Sequence, residues 1–420
     1  MNKFYKDYEK AVLNEIELDE KAYSLLGMKP SEYAFIPRPL KFVRYLKNKF
    51  YFSRVFSFVL PLGWLLVTPF FFLYQLFFTF KGKLMNKKVG FPINSEQTLY
   101  LVYSTRALEV FKKHDAGFQS KYYVSMPWLQ TDFFEDNSLS LLGFLSYRKL
   151  FKAYLVAIQS VLIFYLLSGK KVWTLQTYSA FRWFVVYFAI RDLNNVEFVC
   201  AEHYDRWAVL TDLTVTNNRL FGDSSCSLTI MQHGFLGSLT HEQEPLKLPY
   251  KLLSVSHIYV YNDAEYQFFN RYVLGKNSIS LIPECHSFTP KIELTTIGSV
   301  KHVPYVLFVG NPVCEDFHML LFDSLQKKLK NDVVFYYKPH PLTPGTERVN
   351  NVNWSVIKDK KQFPFVDLVI SYPSTLEYEY ALHGIKTISH AIDAPSAEVQ
   401  FYAGQVFSIL NKFYLGDTIE

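Results

Sequence analysis

Residues 55–80 contain no Asp, Glu, Lys or Arg in 26 positions. About 20 consecutive apolar residues suffice to cross a bilayer as a helix, so this run limits the fold more than any other part of the chain. Pro61 and Pro69 interrupt it, and each removes a backbone donor and tends to break or kink a helix. Residues 41–90 carry Lys41, Arg44, Lys47, Lys49, Arg54, Lys81, Lys83, Lys87 and Lys88, with no acidic residue. Cytoplasmic flanks gather Lys and Arg, so basic residues at both ends predict that both ends stay on one side. A re-entrant hairpin or a pair of interfacial helices fits this better than a single span or a buried core element. The basic flanks then meet anionic headgroups. A second apolar run, 153–168, follows Lys152 and ends at Lys170 and Lys171. It reads as a core helix of the first domain, placed at the membrane face.

The chain carries a formal net charge of +6, but nine of its 44 basic residues sit in that one region and the remainder is slightly acidic. A general nucleic-acid binder is therefore excluded as a reading. A length of 420 residues, half of them hydrophobic, fits two domains with a large core. Cys200, Cys226, Cys285 and Cys314 form no C-x-x-C pair and match no zinc spacing. They read as reduced thiols of a cytosolic protein. The charged start has no apolar core of a signal peptide, so none is expected.

Residues 1–50 read as helical and polar, broken at Pro30, Pro37 and Pro39. Beyond the apolar run, strands are expected at 98–103, 122–126, 172–177, 196–201 and 227–232. Helices are expected at 105–113, up to 190, and from Arg206. The second half alternates more cleanly, with strands at 305–309, 333–337, 367–370 and 386–389 and helices at 316–330 and 374–383. Gly384 stands where a helix-ending glycine belongs. Alternation of this kind implies parallel sheets flanked by helices. The expected divisions are 1–90, a helical and membrane-associated segment; 91–290, a first α/β domain; and 291–420, a second, with the boundary near 283–303.

In open α/β sheets ligands sit beyond the carboxyl ends of the strands, so the residues there carry the functional information. Lys338-Pro339-His340-Pro341 follows one strand. Two prolines stiffen that loop and present His340 to a phosphate; an exposed turn is the plainer alternative. Gly310-Asn311 follows the strand before it. Ser371-Tyr372-Pro373-Ser374-Thr375-Leu376-Glu377 feeds a helix N-terminus, which suits phosphate, although Ser374 or Thr375 could simply cap the helix. Glu377 could bind a sugar hydroxyl or complement the helix dipole. In the first half, His233-Gly234 follows one strand and Glu202-His203-Tyr204-Asp205-Arg206 another. Glu202, Asp205 and His233 are the candidate catalytic bases, and Asp205 could equally cap the next helix.

The K-P-H-P loop, followed about thirty residues on by S-x-x-S-T-L-E, resembles the C-terminal lobe of bacterial GT-B glycosyltransferases over residues 200–395. It is most similar to those that build capsules and lipopolysaccharide, the polysialyltransferases and Kdo transferases. The resemblance implies two Rossmann-like lobes facing a central cleft. It also implies that His340-Pro341 and Ser374-Thr375 bind the phosphate and ribose of a CMP-sugar. The acidic pair followed by glycine that supplies the base in those sialyltransferases occurs nowhere in this chain. No P-loop, G-x-G-x-x-G, H-E-x-x-H or D-x-D metal motif is evident, which fits inverting transfer with no metal site and no cofactor. The expected partners are a nucleotide-sugar donor, a glycan or lipid-linked acceptor and the inner-membrane lipid surface. The expected location is the cytoplasmic face of the inner membrane, peripheral or monotopic. A UDP-sugar 2-epimerase and a non-catalytic membrane assembly protein are the alternatives.

Overall fold

The computed structural model describes residues 3–25, 53–85, 97–113, 121–129, 137–221, 225–234, 246–276, 282–288, 292–296, 303–329, 333–341 and 345–416. Lys41, Arg44, Lys47, Lys49, Lys87, Lys88, Pro30, Pro37 and Pro39 lie outside these residues. The chain forms two compact units. Described residues up to His233 and from Leu246 to Phe288 belong to the first, and those from 292 onward to the second.

The first unit contains α1 (Lys3–Leu25), α2 (Ser53–Met85), β1 (Gln97–Val102), α3 (Thr105–Lys113), β2 (Lys121–Ser125), β3 (Ser138–Ser140), α4 (Tyr147–Leu167) and α5 (Ala180–Ile190). It continues through β4 (Val196–Cys200), α6 (Arg206–Phe221), β5 (Ser227–Met231), β6 (Val255–Val260), α7 (Asp263–Phe268) and β7 (Glu284–Ser287). Its sheet has the order β3-β2-β1-β4-β5-β6-β7, parallel throughout. The second unit contains β8 (Tyr305–Val309), α8 (Glu315–Leu329), β9 (Val334–Lys338), α9 (Glu347–Asn350), β10 (Ser355–Val356), β11 (Leu368–Ser371), α10 (Thr375–Leu382), β12 (Lys386–Ser389) and α11 (Val399–Gly416). Its parallel order is β10-β9-β8-β11-β12. The expected pair of Rossmann-like α/β units is thus what the chain forms.

Near-continuous apolar strands such as YVLFV in β8 and QTLYLV in β1 are buried along almost their whole length, as parallel strands covered on both faces must be. In the second unit, Phe317, Leu321 and Leu325 of α8 join Ala403, Val406 and Leu410 of α11 in one core with Val306 and Phe308 of β8. Helix α10 stops at Gly384, whose φ of 77° lies in the left-handed region that a side chain disfavours. One expected strand is not a strand: residues 172–177 lie within a 3-10 helix, Lys171–Ser179. Its polar side chains engage nearby groups instead of a ladder. Thr177 Oγ1 donates to the Thr174 carbonyl at 2.6 Å, and Gln176 bonds to Asp19 of α1.

The apolar run also departs from expectation. Pro61 and Pro69 do not break it: α2 is one 33-residue helix with both prolines inside. Thr68, beside Pro69, donates its hydroxyl back to the Trp64 carbonyl at 2.7 Å. One stripe of α2, including Pro61, Thr68 and Phe72, is buried. Trp64 Nε1 donates to Thr177 Oγ1 at 3.1 Å, and Lys83 Nζ to the Leu142 carbonyl at 2.9 Å. Tyr154 of α4 reaches the Pro69 carbonyl, while Tyr147 packs its ring on Phe80, so the two helices run antiparallel. Leu66, Phe70, Tyr74 and Phe77 of α2 face outward, as do Phe151, Leu155, Leu162 and Leu166 of α4.

Helix α1 is built into the first unit, with Tyr5, Tyr8, Ala11, Val12 and Ile16 in the core. Asn14, fully buried, ties it to two loops. Its Nδ2 donates to the carbonyls of Tyr204 and Tyr250 at 3.0 and 2.9 Å, and its Oδ1 accepts the Tyr250 N–H at 2.9 Å. Glu15 pairs with buried Arg206 at 3.3 Å. Asn14→Ala strands three buried polar groups at about 1–3 kcal/mol each, so equilibrium unfolding in denaturant is expected to show a loss of about 3 kcal/mol or more. Exposed Lys6→Ala is the control. A loss for Asn14→Ala no larger than the control would contradict the anchoring role.

Candidate active site

In each sheet the chain reverses its direction of travel at one point. After β1 it moves outward to β2 and β3, and after β4, the other neighbour of β1, it moves the opposite way. The second sheet does the same at β8 and β11. The crevice at such a reversal is where open α/β sheets bind ligands.

In the first unit, two capped helix N-termini flank this point. Ser104, after β1, accepts the Ala107 N–H on its hydroxyl at 3.1 Å. Asp205, after β4, accepts the Trp207 and Ala208 N–H groups on Oδ1 at 2.9 and 3.1 Å. The capping alternative for Asp205 is therefore observed. Glu202 lies beside them, 7% exposed. It accepts the Ser104 hydroxyl at 3.4 Å and the Cys200 thiol at 3.5 Å. Burial, then the nearby charge of Asp205, pushes the Glu202 carboxyl well above the usual carboxylate range. Burial and Glu15 push Asp205 upward too, against its two amide donors.

His203 and His233 stack at 4.2 Å between centroids. The His233 N–H donates to His203 Nε2 at 3.0 Å, so the ring proton of neutral His203 is on Nδ1. His233 Nδ1 meets the Ala201 carbonyl, which can only accept, so Nδ1 carries the proton and Nε2 the lone pair. Burial, then the nearby His233 and Arg106, lowers the His203 pKa, and burial with Arg106 brings that of His233 to about 4. Arg106 of α3 holds the His233 carbonyl through Nε and Nη2 at 3.1 and 2.7 Å. Next to this cluster stands a stack of Tyr103, Trp207 and Trp128, with centroids 5.0 and 5.1 Å apart. The Arg182 guanidinium lies 5.4 Å from the Trp128 ring. Ser104, Arg106 and this stack were not singled out from sequence. They come from separate segments, and only the fold joins them.

In the second unit, Gly310 and Asn311 end β8, His340 and Pro341 follow β9, and Ser371 and Ser374 lie at the end of β11. These are three adjacent strands. A β-carbon at Gly310 would overlap the phenol of buried Tyr337, so glycine is required there for packing. Asn311 shapes the turn, its Oδ1 accepting the Val313 N–H at 3.1 Å and its carbonyl the Cys314 N–H at 3.0 Å. Ser374 caps α10, accepting the Glu377 N–H at 3.1 Å, and also meets the Ser371 hydroxyl at 3.1 Å. Thr375 opens that helix. Glu377 accepts the Ser389 hydroxyl at 3.1 Å, and burial raises its pKa to about 7.

Lys338, expected to touch the ligand, is instead buried. Its ammonium donates to the Asp359 and Gln362 carbonyls, each at 2.8 Å, and lies over the Phe363 ring. Strand alternation assigns the side chain to one face of the sheet, where it clamps the 359–363 loop. Below the site, His318 of α8 and His390 after β12 share a hydrogen bond of 2.7 Å. His390 Nδ1 donates to the Ala391 carbonyl, so His318 Nε2 donates to His390 Nε2 and both rings are neutral.

No known family model and no curated protein matches the sequence. Among solved structures, the chain is similar to one in the crystal structure of the GtfA/B complex, at 9% identity and a TM-score of 0.33. That match covers 55% of this chain and 54% of the other, so the chain spans about half its length. It is also similar to UDP-N-acetylglucosamine 2-epimerase from Rickettsia bellii, at 8% identity and a TM-score of 0.33, over 78% of this chain and 99% of that one. Overlaps this distant assign neither a reaction nor a residue role.

The histidine pair supplies a pH prediction. Both folded-state values lie below the unfolded value of about 6.5. The stability they confer is therefore complete above pH 6.5 and is lost as pH falls toward 4. Ring resonances of His203 and His233, assigned with His203→Gln and His233→Gln, are expected to stay in the neutral form at pH 5.5. Midpoints near the ordinary histidine value would contradict the described burial.

Proposed function

We propose that the chain is a glycosyltransferase, inverting and metal-independent in its transfer step. It moves a sugar from a nucleotide-activated donor to a capsular or lipopolysaccharide glycan. A CMP-sugar such as sialic acid or Kdo is favoured over a UDP-sugar by the resemblance of the His340-Pro341 and Ser374-Thr375 loops to those of polysialyl- and Kdo transferases. The donor phosphates belong to the second unit, at the strand-end turns and the positive end of the α10 dipole. The acceptor belongs to the first unit.

One observation carries this reading: a buried carboxyl of raised pKa, Glu202, at the reversal point of the first sheet, where it accepts the Ser104 hydroxyl. A base whose pKa lies near the working pH combines the right protonation state with a strong pull on the proton. Glu202 takes the proton from the acceptor hydroxyl as the new glycosidic bond forms and the bond to the nucleotide phosphate breaks. Growing charge on that phosphate is met by the α10 N-terminus and His340. Asp205 holds the Glu202 loop through its cap and raises the proton affinity of Glu202. His233 orients the acceptor through Nε2.

The outward faces of α2 and α4 support a membrane partner. They place an apolar surface on one side of a folded unit, while the opposite stripe of α4 is buried in protein. A helix held along its length by a globular core suits a monotopic position at the cytoplasmic face better than a span. The protein is expected to co-sediment with anionic vesicles, and Leu66→Glu with Phe70→Glu to abolish this. A double variant that still sediments fully would contradict it.

The catalytic reading is tested with Glu202→Gln. Nucleotide release from CMP-, UDP- and GDP-sugars is measured with a lipid-linked glycan extract as acceptor. Turnover is expected to fall about 10²–10⁴-fold, with donor affinity unchanged. A raised carboxyl pKa opposes folding once the group ionises, so the glutamine variant is expected to be at least as stable as wild type at pH 8.5. Near-wild-type turnover would remove Glu202 from the reaction. Epimerised free sugar-nucleotide formed without acceptor would shift the assignment to a 2-epimerase.

A further inference from the structure

Three side chains away from the strand-end site converge on one point. His257 is on β6, and Glu284 and His286 are on β7. The parallel register sets His257 opposite Glu284 and Tyr259 opposite His286. Residues two apart on a strand share a face, so all three side chains stand on the same side of the sheet. His257 Nδ1 lies 3.3 Å from His286 Nε2 and 3.5 Å from Glu284 Oε2. His286 Nε2 lies 3.7 Å from Glu284 Oε1.

We propose that His257, Glu284 and His286 form a zinc(II) site that staples the last strand of the first unit to its neighbour. The spacing carries the argument. Zinc bonds to imidazole nitrogen and carboxylate oxygen are about 2.0–2.2 Å long, which places the ligands of a tetrahedral ion about 3.3–3.5 Å apart. His257 Nδ1 and His286 Nε2 stand at that separation, and each faces a different oxygen of Glu284 at 3.5 and 3.7 Å; one donor atom from each residue lies within 4.8 Å of the other two, so a turn of the exposed Glu284 carboxylate completes the set.

The donor set of two nitrogens and one carboxylate oxygen selects a borderline transition ion over magnesium or calcium, which take oxygen ligands. Tyr259 stacks on the His286 ring at 4.6 Å and fixes its plane. The side chains of His257, Glu284 and His286 are 37%, 66% and 31% exposed, so a water can complete the fourth position. β7 is a four-residue edge strand in the sheet. Metal bridging ties this short strand to its neighbour through side chains as well as through the ladder.

The test is calorimetric titration of zinc chloride into the full chain after chelator treatment, with cobalt(II) as a spectroscopic substitute. One equivalent is expected to bind, tighter than about 10 µM, with the visible absorption of four-coordinate cobalt. His257→Ala and His286→Ala are each expected to weaken binding about 100-fold or more, since each removes a direct ligand and loss of mere supporting partners already costs 10–100-fold. Cys285→Ser, on the opposite side of β7, is expected to leave it unchanged. The substituted side chains are partly exposed, so thermal unfolding without metal is expected to match wild type. Absence of saturable binding, stoichiometric binding that survives both histidine variants, or binding lost with Cys285→Ser would each overturn the site.

Discussion

The reversal of chain direction within each parallel sheet is the constraint on which the rest depends. A strand buried on both faces has no room for charge, so polar residues must collect where strands end. Between β1 and β4, and again between β8 and β11, helices leave toward opposite sides and open a crevice at those ends. Glu202, Asp205 and His233 gather at the first crevice. Gly310, Asn311, Ser371 and Ser374 gather at the second, with His340 just beyond the adjoining strand. Each unit thus presents a cluster of polar groups at a strand-end crevice of an apolar scaffold.

Structure and chemistry share residues in the first unit. The loop that carries Glu202 is held from below by α1, through Asn14 on the Tyr204 carbonyl and Glu15 on Arg206. Arg206 also lies over the Tyr178 ring and accepts the Trp183 indole N–H on its carbonyl. The 3-10 helix that contacts Arg206 through Gln176 contacts α2 through Thr177. A continuous set of contacts therefore runs from the outward apolar helix, through α1, to the loop of the candidate base. Rigid support of this kind keeps a buried carboxyl in place although its ionisation opposes folding.

Much of this was legible in sequence. Short apolar runs between helical patterns located eight of the strands, and residues just beyond them supplied the candidate sites. What escaped did so for physical reasons. Residues 172–177 look like a strand by composition, but their buried polar side chains find partners locally and in α1. Pro61 and Pro69 should break an isolated helix, yet tertiary contacts carry α2 through both. Lys338 shows the limit of reading strand ends from spacing, since a shift of one position decides whether a side chain faces ligand or core. The His257, Glu284 and His286 cluster is separated by 27 residues in sequence, and only the β6–β7 register brings it together.

The central claim is that the second unit holds an activated nucleotide while the first performs proton transfer, and separating binding from chemistry tests it most directly. Calorimetric titration of CMP, UDP and GDP is to be compared for wild type, His340→Ala and Glu202→Gln. Wild type is expected to show saturable binding of one nucleotide. His340→Ala is predicted to weaken it about 10-fold or more, as loss of a hydrogen bond to a charged group of about 1.5–3 kcal/mol requires, and Glu202→Gln to leave it unchanged. Absence of binding by any of the three nucleotides, or binding lost with Glu202→Gln and untouched by His340→Ala, would contradict it.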